Sequence, residues 1–157
     1  MKGGFNEFKE ALAKRESGGK YNVVNKFGFL GKYQFGKSRL FDLGISIDGY
    51  GVGRPAVAKE VKKITQEEFL KNPELQEQVF LMHIKELKER VLKKYPHLLG
   101  KKIRGVKLTL SGIVAGIHLL GEGNFRKWLA GGNPMDGFGT KIEEYLTTFA
   151  DYDLSDL

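Results

Sequence analysis

Residues 15–35 read RESGGKYNVVNKFGFLGKYQF, and the interpretation of the whole chain starts from this stretch. The pattern leading into it is helical, because Phe8, Leu12 and Glu16 are spaced four residues apart and share one helix face. A Ser-Gly-Gly sequence follows at once and predicts the end of that helix. A carboxyl group at the end of an apolar stripe is expected to be partly out of water, which favours the protonated form that a general acid needs. The alternative is an ordinary exposed glutamate in a last helical turn.

Three further motifs follow along the chain. GKYQF occupies residues 31–35, about fifteen residues after Glu16, AGIHLLGEGN occupies residues 115–124, and KIEEYL contains Tyr145. Together with the Glu-Ser pair, these motifs resemble the lysozyme-like lytic transglycosylases. That family combines Glu-Ser at a helix end with Gly-x-x-Gln, with Ala-Tyr-Asn-x-Gly-x-Gly and with a late helical tyrosine. The four motifs occur in the family's order and cover most of the chain.

The resemblance implies a reaction on bacterial peptidoglycan. Glu16 would protonate the glycosidic oxygen between N-acetylmuramic acid and N-acetylglucosamine, and would then act as the base while the muramic acid O6 attacks C1. The product would be a 1,6-anhydro sugar, and no water would be consumed. Ser17 would be a polar neighbour of the acid or of the substrate, and Gln34 and Tyr33 would contact the substrate. Tyr145 would orient Glu16 from the last helix.

Each of these secondary roles has a purely structural alternative. Ser17 could cap its helix, Gln34 could hold a loop, and Tyr145 could be a core aromatic. The third motif also departs from the family pattern, since His118 stands where tyrosine is usual and Leu119 where the substrate-contacting asparagine is usual. His118 offers one donor and one acceptor and is therefore the candidate for that contact. Ala-x-His-Leu at this point is similar to a phage or effector branch of the family.

A second catalytic carboxyl group is not evident. Glycosidases usually need two, and Asp42 and Asp48 lie in the plausible region but in no recognisable motif. Two other functions therefore stay open beside the transglycosylase. One is a hydrolase similar to goose-type lysozyme that cleaves the same bond, and the other is a non-catalytic basic module that binds nucleic acid or wall polymer.

Composition limits the class of protein and the class of partner. The chain has 157 residues, 41% of them hydrophobic, which is enough to bury a core without metal or disulfide help. The net charge of +7 favours an anionic partner, and basic residues concentrate in residues 85–107, where a solvated helix face is the alternative. We expect peptidoglycan strands as the partner, without nucleic acid. The motifs imply no metal and no organic cofactor.

The location of the protein is predicted from two kinds of apolar segment, a membrane-spanning helix and a secretory signal, neither of which the sequence shows. Its most apolar run, residues 108–120, is too short to cross a bilayer, so no membrane insertion is expected. The first residues lack the apolar segment of a secretory signal. We expect a monomer that acts in the cell wall or periplasm, delivered by phage lysis, by injection or as part of a longer exported protein.

The patterns predict one domain over residues 1–157, with a mainly α, lysozyme-like (α+β) fold and a little β structure in residues 21–35. A long ordered loop is predicted over residues 44–55, because it contains four glycines. The cleft is expected between these two loops and the segment after His118.

Six helices are predicted from their caps and periodicity. The first is capped by Asn6 and ends near Ser17, and a short one covers residues 37–43. A long, well-buried helix starts at Asn72-Pro73 and runs to about Lys94. The remaining predictions are a central helix over residues 109–120, a brief helix over residues 125–130, a last helix opened by a capping box from Thr140 to Glu143, and core positions for His83 and Trp128.

Overall fold

The computed structural model describes every residue from Met1 to Leu157. It contains seven α-helices, one 3-10 turn and two sheets of two strands each, so the prediction of a mainly α fold with a small β portion is confirmed. The chain forms two compact units. The middle unit is Glu10–Glu86, and the terminal unit is Met1–Lys9 together with Leu87–Leu157. The assignment of the whole chain to one domain stays a prediction.

Helix α1 spans Phe5–Ser17 and ends where the Ser-Gly-Gly sequence predicts. The two glycines after it have positive φ, and the N–H of Gly18 donates to the carbonyl oxygen of Lys14. The predicted cap is wrong, because Asn6 lies inside the helix. Gly4 opens the helix instead: its carbonyl oxygen accepts the first helical hydrogen bond, and its N–H is bound by the carboxylate of Glu7 at 2.7 Å.

The middle unit contains four short elements between the two long helices: α2 (Lys37–Asp42), β1 (Ile45–Ile47), β2 (Lys62–Ile64) and α3 (Gln66–Leu70). The predicted short helix is confirmed as α2. The predicted long loop is wrong in part, because β1 lies within it and pairs in parallel with β2. All three residues of β1 are buried, so burial of two β-branched side chains outweighs the flanking glycines.

Helix α4 spans Pro73–Lys94 and begins at its predicted cap. The side-chain oxygen of Asn72 accepts a hydrogen bond from the N–H of Leu75 at 3.1 Å. The predicted core histidine is also confirmed, because His83 is 4% exposed and its Nδ1 accepts a hydrogen bond from Nε of Arg39 at 3.0 Å. Further residues of α4 are fully or almost fully buried: Val79, Phe80, Ile84, Leu87 and Val91.

The terminal unit contains a 3-10 turn (Pro96–Leu98), the hairpin β3 (Lys102–Ile103) and β4 (Val106–Lys107), and three helices: α5 (Leu110–Leu120), α6 (Glu122–Leu129) and α7 (Ile142–Thr148). The predicted central helix is confirmed as α5, with Thr109 as its cap. Helix α7 packs closely on it, since a Cβ built on Gly112 would lie 2.5 Å from the carbonyl oxygen of Leu146. None of the helices has the length and apolar character required to cross a bilayer.

Two predictions about the last helices need correction. Helix α6 begins at Glu122, three residues before the predicted start. Helix α7 begins without the predicted capping box, and Lys141 is its N-cap residue. The carboxylate of Glu143 accepts instead a hydrogen bond from Nε1 of Trp128 at 2.9 Å. Trp128 is fully buried, so its predicted core position is confirmed.

Candidate active site

Glu16 lies in the last turn of α1, one residue before the helix ends. On the same helix face, Phe8 and Leu12 are fully buried, whereas the side chain of Glu16 is half-buried. The apolar stripe therefore ends in a carboxyl group that is partly withdrawn from water, as its spacing predicts.

The hydroxyl group of Ser17 connects the end of α1 to the Gly-x-x-Gln motif. It donates to the carbonyl oxygen of Lys32 at 2.7 Å and lies 3.1 Å from the carbonyl oxygen of Ala13 one helical turn earlier. It also accepts a hydrogen bond from the N–H of Gly19. One side chain thus brings together two motifs that are about fifteen residues apart in the sequence.

Residues 31–34 form a tight turn that is closed by a pair of buried residues. Leu30 and Phe35 exchange two backbone hydrogen bonds, of 2.8 and 2.9 Å, at the base of the turn. These bonds confirm the short extended pairing that was predicted for residues 21–35. They also hold both ends of the Gly-x-x-Gln motif.

Gln34 has two features that are unusual for a glutamine in a loop. Its φ is +54°, in the left-handed region that costs a non-glycine residue about 1–3 kcal/mol. Its Nε2 donates to the carbonyl oxygen of Gly31 at 2.8 Å, but its Oε1 is buried and accepts no hydrogen bond. Backbone strain and an unsatisfied polar atom together are typical of ligand-binding sites.

Tyr33 is part of the buried core behind the turn. It is 1% exposed, its ring stacks on Phe80 with 3.8 Å between centroids, and its hydroxyl donates to Oε1 of Glu77 at 2.7 Å. Burial and the neighbouring Glu77 raise the pKa of Tyr33, so the hydroxyl stays protonated. The predicted substrate contact of Tyr33 does not agree with this burial. The residue instead supports the turn against α4.

Gln76 is a polar residue of this region that sequence reasoning missed. It is 1% exposed, and its Oε1 accepts a hydrogen bond from the N–H of Lys32 at 2.9 Å. Its Nε2 donates to the carbonyl oxygen of Phe69 at 2.9 Å and lies 3.2 Å from that of Tyr21. The available signal was helical spacing, because positions 76, 80, 83 and 87 of α4 fall on one face, which is otherwise buried and mostly apolar.

Lys32 carries a buried charge at the centre of the same turn. It is 6% exposed, and its Nζ lies 2.9 Å from Oε1 of Glu10 and 3.2 Å from Oε2 of Glu77. Burial alone lowers the pKa of Lys32, but the hydrogen bonds to the two carboxylates outweigh it and raise the pKa overall. Tyr21 donates to the same Glu77 oxygen at 2.6 Å. The ammonium group is therefore fixed and charged.

The other two predicted site residues belong to the terminal unit. His118 lies half-buried in the last turn of α5. Tyr145 is 4% exposed on α7, and its hydroxyl donates to Oδ2 of Asp136 at 2.5 Å. Asp136 also accepts hydrogen bonds from the N–H groups of Phe138 and Thr140, and sequence reasoning missed it although Asp-Gly is a turn signal. The roles predicted for His118 and Tyr145 stay predictions.

The two candidate second acids both have local partners. Asp42 accepts from Nη1 of Arg39 at 3.5 Å within α2, and Asp48 accepts from the N–H of Gln66 at 3.3 Å at the start of α3. Neither contact connects them to Ser17 or to the 31–34 turn. No group of three or more histidine, aspartate and glutamate side chains is arranged to hold a metal ion.

Comparisons with protein-family models, with curated proteins and with solved structures returned no match to this chain. The geometry itself defines a mainly α protein in which a half-buried glutamate directly precedes the serine that binds a strained, glutamine-bearing turn. That combination is the starting point for a functional proposal.

Proposed function

We propose that this protein is a lytic transglycosylase that cleaves the β-1,4 bond between N-acetylmuramic acid and N-acetylglucosamine in peptidoglycan. The observation that carries the proposal is the hydrogen bond from the Ser17 hydroxyl to the Lys32 carbonyl oxygen. It links the Glu-Ser motif to the Gly-x-x-Gln motif, so the acid and the glutamine turn belong to one structural element. A chance similarity of two short motifs would not require such a bond.

Glu16 acts first as a general acid and then as a general base. In the first step its carboxyl proton moves to the glycosidic oxygen, the bond from C1 to that oxygen breaks, and the N-acetylglucosamine residue leaves as an alcohol. In the second step the muramic acid O6 bonds to C1, and its proton returns to the carboxylate. Atoms balance without water, and the carboxyl group regains its starting state. Half-burial at the end of α1 suits this role because it leaves the carboxyl group partly within the protein and partly open to a substrate.

Gln34 is proposed to bind the sugar near the acid. Its buried Oε1 has no hydrogen-bond donor within the protein, and sugar hydroxyl and acetamido N–H groups are such donors. Substrate binding would then satisfy an atom whose desolvation costs the free protein about 1–3 kcal/mol. The net charge of +7 adds a general attraction to the anionic wall, which salt weakens.

The deciding experiment is Glu16→Gln, assayed as the release of soluble fragments from purified sacculi. We expect the folded variant to lose about 10²–10⁴-fold in rate, because general acid–base catalysis contributes that much. Glu60→Gln is the control, since Glu60 is an exposed glutamate in the same unit. A folded Glu16→Gln protein with full activity would refute the proposal. So would a wild-type protein that binds DNA at physiological salt and releases nothing from sacculi.

Mass spectrometry of the released fragments tests the reaction type. The 1,6-anhydro product is lighter than the hydrolysis product by one water, so each cleaved bond reports its own outcome. We expect anhydro ends, because Asp42 and Asp48 are bound by the local partners Arg39 and Gln66, and neither contact involves Ser17 or the 31–34 turn. Fragments with reducing ends alone would identify a hydrolase on the same bond.

A further inference from the structure

Lys32 is the only residue of the 31–34 turn whose backbone and side chain both contact the two long helices. Its carbonyl oxygen accepts from Ser17 and its ammonium group binds Glu10, both on α1. Its N–H donates to Gln76 and its ammonium group also binds Glu77, both on α4. The turn is therefore tied to α1 at two positions and to α4 at two adjacent positions.

Burial of the Lys32 ammonium group is not needed to close the turn. Leu30 and Phe35 close the turn with two hydrogen bonds of their own, without help from Lys32. Burying an ammonium group costs several kcal/mol before its partners compensate, and an apolar side chain of similar length would fill the same space without that cost. What the ion pairs add is a defined position of the turn relative to both helices.

We propose that Lys32 is a positioning residue for catalysis, with Glu77 and Gln76 as its partners on α4. The inference rests on the proposed function, in which Glu16 and Gln34 act on one sugar. Lys32 lies between them: it accepts a hydrogen bond from the residue after Glu16, and it lies two positions before Gln34 in the turn. A displacement of about 1 Å between reacting groups can cost about 10²-fold in rate, so this tie acts on kcat.

The chain offers a matched control for the central ion pair. Glu86 lies on α4 nine residues after Glu77, and its side chain is 22% exposed against 26% for Glu77. It binds Nη2 of Arg39 at 2.7 Å, and Arg39 also contacts His83 and Asp42. None of these groups belongs to α1 or to the 31–34 turn. Loss of either ion pair removes one partly buried carboxylate from the same helix.

The test compares Glu77→Gln with Glu86→Gln in unfolding and in initial rates on sacculi at several substrate concentrations. We expect Glu77→Gln to lower Tm more than Glu86→Gln, because Glu77 also accepts hydrogen bonds from Tyr21 and Tyr33, so the rates are compared at a temperature where both variants are folded. Glu77→Gln should lower kcat about 10–100-fold with KM changed less than threefold, whereas Glu86→Gln should stay within twofold of wild type. Equal kcat values for the two variants, at a temperature where both are folded, would overturn the positioning role.

Three further variants cover the case in which Glu77→Gln does not fold. Glu10 is 57% exposed at its side chain, and the buried ammonium group of Lys32 keeps its ion pair with Glu77 when Glu10 is replaced. Glu10→Gln should therefore fold. It should lower kcat about 3–10-fold, and Lys32→Arg should keep more activity than Lys32→Met because it retains the cation. Wild-type rates for Glu10→Gln, or equal rates for the two Lys32 variants, would overturn the role.

Glu16→Gln separates this inference from the function on which it rests. If that variant is inactive while Glu77→Gln behaves like Glu86→Gln, the positioning role is wrong and the enzyme proposal survives. If Glu16→Gln is fully active, or if the wild-type protein releases no fragments, the proposed function is wrong and the positioning role is lost with it.

Discussion

The side-chain amide of Gln76 occupies the space in which a side chain on Gly31 would lie. A Cβ built on Gly31 would be 2.3 Å from Oε1 of Gln76, and the φ of Gly31 is +79°. The glycine of the Gly-x-x-Gln motif is therefore required for two independent reasons, one of space and one of backbone conformation. The reason of space follows from the Gln76 contact, because Gln76 enters the turn to reach the N–H of Lys32.

Gly31→Ala should consequently destabilise the protein by about 2–4 kcal/mol, measured by urea unfolding. Gly28→Ala is the control, because Gly28 also has positive φ (+85°) but has no atom within 4 Å of a built Cβ. Gly28→Ala should lower the free energy of unfolding only by the cost of placing alanine at positive φ, about 1–2 kcal/mol. Equal losses for the two variants would show that the Gln76 contact does not constrain the turn.

Gln34→Gly should separate stability from activity. Glycine adopts φ of +54° without strain, and the change removes a buried oxygen that accepts no hydrogen bond. The bond from Nε2 to the Gly31 carbonyl oxygen is lost, which offsets part of the gain. We expect the free energy of unfolding to change by less than about 1 kcal/mol, while the rate of wall lysis falls at least about tenfold.

Asp151→Gly controls for the backbone effect in that comparison. Asp151 is an exposed residue with φ of +64° in the terminal unit, outside every motif of the site. It should gain slightly in stability and lyse sacculi at the wild-type rate. A Gln34→Gly protein that is as active as Asp151→Gly would rule out a substrate contact for Gln34.

Local sequence signals predicted most of the helices and the position of Glu16. The Ser-Gly-Gly end of α1 and the Asn72-Pro73 start of α4 depend on backbone and side-chain groups a few residues apart, so the sequence contains all that fixes them. β1 and the helix starts that were mispredicted are different. Ile45–Ile47 forms a strand only because Lys62–Ile64 pairs with it. Glu143 accepts a hydrogen bond from the indole of Trp128 and does not complete a capping box.

The site shows the same division between local and long-range determinants. The motif residues of the turn could be named from the family resemblance, but the groups that hold the turn lie 44 and 45 positions away, on α4. Helical spacing places Gln76 on the buried face of α4, but no local signal shows that Gln76 and Glu77 bind the turn. Burial of Tyr33 has the same origin, because it follows from the stacking of its ring on Phe80.

Trp128 is the only tryptophan in the chain, and a substitution can test whether it is a core residue or a surface on which a sugar ring stacks. It is fully buried, and its Nε1 donates to Glu143. Trp128→Phe should cost about 1–3 kcal/mol of stability, because it removes packing and leaves that carboxylate without the indole donor. Lysis at a temperature where the variant is folded should stay within twofold. A tenfold loss of lysis without a loss of stability would instead indicate contact with sugar.

Tyr95 should make stability fall steeply at alkaline pH. Its hydroxyl donates to Oε2 of Glu122 at 2.6 Å, and burial together with this carboxylate raises the pKa of Tyr95 to about 12. The unfolded tyrosine ionises near pH 10, so the stabilisation is complete below pH 10 and is lost as pH rises from about 10 to 12. Across that window Tyr95 contributes a slope of about −1.4 kcal/mol per pH unit to the free energy of unfolding.

Tyr95→Phe should therefore be less stable than wild type at pH 8 and should approach it by pH 12, as followed by urea unfolding. Tyr50→Phe is the control, because Tyr50 is 45% exposed. Parallel curves for wild type and Tyr95→Phe between pH 10 and 12 would show that Glu122 does not hold the Tyr95 proton.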